Sequence, residues 1–202
     1  MYNVAIVGAG PAGIFTALEI MKLKPDWKVV LIDKGKRIEK RKCFLRDGYK
    51  QCPGCKTCGL LCGWGGAGAF SDGKLTLTPD VGGHLVDYME RKDVEDLIDY
   101  TDKMYLQFGA TDVVYGTNKE DYADIAHQAT LAELKLVHSP VRHLGTERSL
   151  DVLKNMQDYL NDKITILNEE SADKLIVENG QVKGFTTKKG KTITAEYIII
   201  AP

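Results

Sequence analysis

The stretch Asn3-Val4-Ala5-Ile6-Val7-Gly8-Ala9-Gly10-Pro11-Ala12-Gly13 decides how the rest of this chain is read. Asn3 to Val7 is a short apolar strand that runs straight into a glycine turn, and beyond the turn Ile14, Leu18 and Met21 recur at helical spacing. The pattern Gly-x-Gly-x-x-Gly thus stands between a strand and a helix, the position a dinucleotide phosphate loop requires. Gly8 permits the tight turn, Gly10 lets a pyrophosphate approach the backbone, and Gly13 allows the helix to pack close to the strand. The first helical turn supplies oriented N–H donors. Lys24-Pro25 ends the helix, because the residue before proline is pushed out of the α region. Lys28 to Ile32 is a second apolar strand closing on Asp33, an acid 20 residues beyond Gly13 that can accept hydrogen bonds from an adenosine ribose.

Outward from this βαβ unit the chain turns basic. Lys34 to Lys50 carries eight basic residues against Glu39 and Asp47, a net of +6. Its bland reading is a solvated loop; its functional reading is attraction of a phosphorylated cofactor or an acidic electron-transfer partner. A glycine-rich stretch, Gly63 to Gly73, follows, with too many helix breakers for a helix and too little alternation for a long strand. The spacing then predicts helices over Asp93 to Phe108 with a Gly109 cap, from an Asn118 cap to about Leu134 with Tyr122, Ile125 and Ala129 inward, and from a Ser149 cap to about Asn161. Short strands are expected at Ile164 to Leu167, Ala172 to Val177, Val182 to Thr187 and Thr192 to Ala195. Asn179-Gly180 makes the hairpin turn, since both central positions of a type I′ turn need positive φ. Tyr197 to Ala201, with three consecutive isoleucines, reads as a fully buried last strand. Such an ending leads us to expect the N-terminal portion of a longer protein, with 83–148 as a helical insertion.

Composition narrows the partners. Lys plus Arg number 27 and Asp plus Glu 28, a net charge of −1 that argues against broad affinity for nucleic acid or acidic membranes. No stretch reads as a membrane span or a secretion signal, because the first apolar run is broken by three glycines and a proline. Five cysteines, four of them between Cys52 and Cys62, suit metal or redox chemistry in a reducing compartment better than a secreted disulfide framework, so a cytoplasmic protein is expected.

The fingerprint alone does not separate FAD from NAD, which share an ADP half. The order of elements does: the second strand leads to a glycine loop, helices and a meander feeding an apolar strand. That order resembles the two-dinucleotide-binding-domain flavoproteins, and implies a Rossmann-like α/β FAD-binding domain with a parallel sheet plus an antiparallel β-meander. At Gly65-Gly66-Ala67-Gly68-Ala69-Phe70-Ser71-Asp72-Gly73-Lys74-Leu75 the chain resembles the FAD-dependent dehydrogenases often called NAD(FAD)-utilising dehydrogenases. Tyr115-Gly116-Thr117, Arg142-His143-Leu144-Gly145-Thr146 and the ending Ile198-Ile199-Ile200-Ala201-Pro202 match that family as well.

The resemblance implies a set of site residues. Gly8, Gly10, Pro11, Ala12 and Gly13 would hold the pyrophosphate, with Asp33 and the adjoining Lys34 at the ribose. Gly66, Ala67, Gly68 and Ser71 would approach the flavin, and Ala172 would bond adenine through its backbone. Asp72 and Lys74 are placed to pair with each other. Cys52, Cys55, Cys58 and Cys62 form C-x2-C-x2-C-x3-C, the ligand run of ferredoxin-type clusters, with Gly63 where proline is usual. An iron–sulfur cluster, a tetrahedral zinc, a redox thiol pair and plain reduced side chains all fit that spacing. His143 is the one candidate for a catalytic group.

An FAD-dependent oxidoreductase is the function expected, passing hydride or electrons between a nicotinamide, NAD(P)H, or an organic substrate and an acceptor. An electron-transfer partner protein is a further expectation. A flavin plus iron–sulfur electron-transfer module and a non-catalytic FAD-binding redox sensor are the alternatives.

Overall fold

The computed structural model describes residues 1–202. In chain order the elements are β1 (Tyr2–Val7), α1 (Pro11–Leu23), β2 (Val29–Asp33), β3 (Lys74–Thr76), α2 (Arg91–Gln107) and α3 (Lys119–Leu131). They continue with β4 (Val141–His143), α4 (Gly145–Asn161), β5 (Thr165–Asn168), β6 (Ala172–Glu178), β7 (Gln181–Thr187) and β8 (Thr192–Ile200). The chain divides into two compact units, Met1–Phe70 with Leu153–Pro202, and Ser71–Val152, the division falling inside α4.

The first unit is built on a six-stranded sheet of order β5-β2-β1-β8-β7-β6. Val29 to Ile32 are buried on both faces, as befits an inner parallel strand flanked by β1 and β5. Because successive side chains alternate between faces, β1 sends Ala5 one way and Val4 and Ile6 the other. Ala5 joins Val30, Ile32, Phe185, Ile193 and Ala195 in one apolar cluster, against which Val7, Leu167, Ala172 and Ile198 also pack. Helix α1 buries Gly13, Ile14, Ala17, Leu18 and Met21. The hairpin between β6 and β7 turns at Asn179 (φ 49°) and Gly180 (φ 77°), the two positive values a type I′ turn demands.

Strand β8 differs from the expectation in two ways. It runs unbroken from Thr192 to Ile200, serving first as the third strand of the meander beside β7 and then as the parallel partner of β1. Its last residues are not fully buried: Tyr197 is 58% and Ile200 59% exposed. Pairing explains this, since β7 reaches only Thr192 to Thr194, and from Tyr197 onward β8 bonds β1 alone.

The second unit holds α2, α3, the start of α4 and the two-stranded sheet β3-β4. The segment 83–148 lies within it. Asn118 caps α3 by accepting a hydrogen bond from the N–H of Glu120 (3.0 Å), and Gly109 follows α2 at φ 102°. Ile125 faces outward at 53% exposure, because α3 turns Tyr122, Ala126 and Ala129 inward instead. Helix α4 starts at Gly145 and not after Ser149, which is buried inside the helix. Its first turn, Gly145-Thr146-Glu147-Arg148, carries no apolar residue and so leaves no periodic signal.

Candidate functional site

The glycine turn after β1 is built by two close approaches and one open space. A Cβ on Gly8, whose φ is +113°, would stand 1.9 Å from the carbonyl oxygen of Ala201, and one on Gly13 would stand 1.9 Å from that of Gly8. Only glycine fits either place. Gly10 is the opposite case: its φ of −76° suits any residue, and a Cβ there meets nothing within 4 Å. The space over Gly10 is therefore not filled by the chain, although the fold would tolerate a side chain in it. Pro11 occupies the first helical position, where its missing N–H costs nothing. No side chain caps α1 and no acid stands in its first turn, so the N–H groups and the positive end of its dipole remain available to an anion.

The second glycine motif comes to the same place. The N–H of Gly65 donates to Ala9 O (2.8 Å), and a Cβ on Gly66 would lie 3.2 Å from Gly10 Cα. Ala67 and Gly68 are exposed beside it. Ser71 belongs to the second unit, where its Oγ accepts a hydrogen bond from Gly73 N (3.1 Å).

What holds this loop is Arg41, a residue that composition alone assigns to a solvated basic run. It is 5% exposed. Its guanidinium donates to the carbonyls of Gly59 (3.1 Å), Leu60 (2.7 Å), Trp64 (2.6 Å) and Gly66 (2.8 Å), and it lies 4.8 Å from the centroid of the Phe70 ring. Burial pulls its pKa down; Asp33, Cys62 and Cys58 nearby oppose that shift. Trp64, fully buried, anchors the loop from the other side through Nε1 to Leu153 O (2.7 Å). Gln157, also fully buried, accepts from Ile38 N (3.1 Å) and donates to Glu39 (3.2 Å). None of the three stands out in the sequence, since each acts on backbone groups far away in the chain.

Asp33 ends β2 with its carboxylate bonded to the N–H groups of Ala9 (2.9 Å) and Gly35 (2.6 Å). A carboxylate has about four acceptor positions, so about two are left for a ligand hydroxyl. Lys34 beside it is exposed, and Ala172 opens β6 half-buried. The cysteines Cys52 and Cys55 are exposed, Cys58 and Cys62 half-buried, and all are free thiols. No group of three or more His, Cys, Asp or Glu side chains converges to hold a metal ion, so the four are not gathered into a ligand set.

In the second unit, β3 and β4 pair Lys74 with His143 and Leu75 with Arg142. The segments Ser71 to Leu75 and Arg142 to Thr146, both singled out by resemblance, are thus neighbours. Lys74 pairs with Asp72 (2.8 Å), and that hydrogen bond, with a smaller contribution from His143, holds the Asp72 carboxyl below its ordinary range. Arg142 is 4% exposed and clamps Asp102 with two hydrogen bonds (2.6 and 2.7 Å). His143 is exposed and lines a cavity of about 540 Å3 together with Tyr115, Thr146, Arg148 and Asp151.

A parallel sheet with a helix-borne glycine turn, an acid closing the second strand and a meander returning beside the first strand define a Rossmann-type fold of the FAD-binding flavoprotein kind. The model of one family, pyridine nucleotide-disulphide oxidoreductase, matches residues 2–202. The chain belongs to that family of FAD-dependent oxidoreductases.

Among solved structures it is similar to 3-ketosteroid-delta4-(5alpha)-dehydrogenase from Rhodococcus jostii RHA1, with a TM-score of 0.58 and 14% identity over 98% of this chain and 45% of that one. L-amino acid deaminase from Proteus vulgaris gives 0.54 and 13% over 100% of this chain and 47% of that one. Glycine oxidase from Bacillus cereus ATCC 14579 gives 0.51 and 13% over 100% and 55%. An uncharacterized protein of Clostridium beijerinckii is 27% identical over 201 residues, 97% of this chain and 30% of that protein. The chain spans about half the length of these solved proteins and under a third of the Clostridium protein. At such identities the structures attest the fold alone.

The residues fit the dinucleotide that the fold implies. The unfilled space over Gly10, the uncapped end of α1 and the approach of Gly66 leave room and free N–H donors that would suit a pyrophosphate. No helix is long and apolar enough to cross a membrane.

Proposed function

We propose that this chain is the flavin-binding portion of an FAD-dependent oxidoreductase that moves hydride or electrons between a nicotinamide or organic substrate and an acceptor. The observation that carries the reading is Gly10, glycine where neither backbone conformation nor packing requires it. Bound FAD would supply the redox-active ring, while the protein supplies position and electrostatics. Gly10, Ala12 and Gly13 would hold the pyrophosphate at the start of α1, and Asp33 the ribose hydroxyls with Lys34 alongside. The backbone of Ala172 would meet the adenine. Gly66, Ala67, Gly68 and Ser71 would lie on the flavin side. Beneath them Arg41 fixes the carbonyls of the loop, so that its N–H groups keep one arrangement. In the second unit His143 is the side chain we assign to proton transfer on a substrate, an imidazole able to donate or accept in an open cavity. NAD(P)H as donor, an electron-transfer partner and a cytoplasmic setting, which suits five free thiols, complete the proposal.

The test is Gly10→Val. With open space at its Cβ, the variant is expected to fold with an unchanged circular dichroism spectrum and melting temperature, yet to retain no flavin absorbance after incubation with FAD and gel filtration. Gly8→Ala, which drives a methyl into Ala201 O, is expected to lose the fold itself. A folded Gly10→Val protein that keeps its flavin overturns the reading.

A further inference from the structure

We propose that the cavity of about 540 Å3 in the second unit binds a small zwitterion, an amino acid with an apolar side chain, through Arg148 and Asp151. The inference deepens the proposed function and rests on it for one point, that the substrate comes to the cavity beside His143. Backbone groups fix the walls of this cavity. Tyr115 and Val141 exchange two hydrogen bonds (2.8 and 3.0 Å), and Arg142 donates to Thr111 O (2.5 Å), so the segment Thr111 to Tyr115 is held against β4, which carries His143. The start of α4 forms a further wall and contributes Glu147, Arg148 and Asp151.

Arg148 stands apart from the other five arginines. Arg37 pairs with Glu39, Arg41 and Arg46 donate to backbone carbonyls, and Arg91 and Arg142 fork onto aspartates. Arg148 has no hydrogen bond, ion pair or ring contact, although Asp151 lies at i+3, where helical neighbours commonly pair. Exposure alone leaves many arginines solvated, so its freedom gains meaning from its place. The free guanidinium shares one concave space with two free carboxylates, opposite signs held apart. Glu147 belongs to the first turn of α4, where the helix dipole already suits an acid. Asp151, one turn further on, is left for a cation. A planar carboxylate matches the guanidinium fork, and an ammonium matches Asp151. A dianion would meet two like charges and a plain amine would meet Arg148, so a ligand with one group of each sign is the one this lining selects. Val113 and Tyr115 line the same cavity at 48% and 58% exposure, and give an apolar side chain a surface to lie on.

The test titrates three probes by anaerobic calorimetry into the protein incubated with FAD and into the flavin-free Gly10→Val variant. They are L-leucine, isocaproate, which lacks its amino group, and isoamylamine, which lacks its carboxylate. L-leucine is expected to bind one to one, and each truncated probe about tenfold or more weaker. Arg148→Gln is expected to weaken L-leucine and isocaproate about tenfold or more without weakening isoamylamine. Asp151→Asn is expected to weaken L-leucine and isoamylamine without weakening isocaproate. Both side chains are exposed, so both variants are expected to keep the circular dichroism spectrum of the parent. Absence of L-leucine binding in protein that retains FAD overturns this inference and leaves the flavin reading standing. L-leucine binding in a parent protein that retains no FAD overturns the flavin reading alone. A truncated probe that binds as tightly as L-leucine, or L-leucine binding that neither substitution weakens, overturns the zwitterion.

Discussion

Each unit of this molecule buries one arginine, and the two are satisfied in opposite ways. Arg142 meets a carboxylate, Asp102, in a fork of two hydrogen bonds, and adds a third to Thr111 O (2.5 Å). Arg41 hydrogen-bonds no carboxylate; five backbone carbonyls of the cysteine and glycine loops take its N–H groups, the longest that of Gly63 at 3.5 Å. The pKa directions follow: the Asp102 hydrogen bond pushes Arg142 up, while burial pulls Arg41 down. A charge matched by a countercharge ties two elements together, here β4 and α2. One matched only by dipoles stays a net positive charge under the loop that faces Gly10. In the proposed function that is where a diphosphate would come, so the first unit keeps there a cation that no carboxylate hydrogen-bonds.

The sharpest way to break the comparison is to remove one guanidinium and watch what its partner does. Arg142→Met leaves Asp102 charged and nearly buried, an expected loss of about 3–5 kcal/mol in urea unfolding. The double variant with Asp102→Leu, which removes both charges, is expected to recover most of that loss. An equal loss in single and double variants would show that packing, and not the ion pair, is what Arg142 contributes.

Arg41→Lys keeps the charge and removes the fork. An ammonium on a flexible stem cannot serve five carbonyls that converge on a planar group, so about 1–3 kcal/mol of stability is expected to go with the unsatisfied acceptors. The larger consequence falls on flavin retention, because Gly66 loses the anchor that holds it against Gly10. Equilibrium dialysis with FAD checks it. Weaker retention without a change in unfolding would make Arg41 an electrostatic residue, and a change in unfolding without weaker retention would make it a structural one.

These two arginines also mark how far the sequence could be read. The strand, glycine turn and helix were legible because their signals are local: strand, three glycines, helix and acid stand within 31 residues, from Asn3 to Asp33. Asn179-Gly180 was legible for the same reason. Arg142 and Arg41 were not, since the partners that bury them lie 40 and about 20 residues away and leave no periodic trace. β3 and β4, of three residues each, are too short to carry an alternation signal and exist only because they find one another. The glycine-rich loop divides in a way its composition does not show: Gly63 and Gly65 are buried against Lys36, Arg41 and Leu153, whereas Gly68 is exposed and Gly66 faces Gly10. Composition could not have separated them.

The smallest expected effect sharpens the comparison within the second unit alone. Asp80 and Arg91 repeat the fork of Asp102 and Arg142, with two hydrogen bonds of 2.8 Å, but in the open. The Arg91 hydrogen bonds hold the Asp80 carboxyl down at about 2. An ordinary aspartate titrates near about 3.9, so the contribution of this pair is complete above that pH and is lost as the pH falls toward 2. Carbon-detected NMR of the Asp80 carboxyl is expected to show the low midpoint, and Arg91→Gln to restore an ordinary one. Salt distinguishes the two forks. It screens exposed charges far more than buried ones, so molar salt is expected to raise the Asp80 midpoint while leaving the cost of Arg142→Met unchanged. If salt erodes both alike, Arg142 is wetter than its 4% exposure implies, and the contrast drawn with Arg41 narrows to one of partners alone.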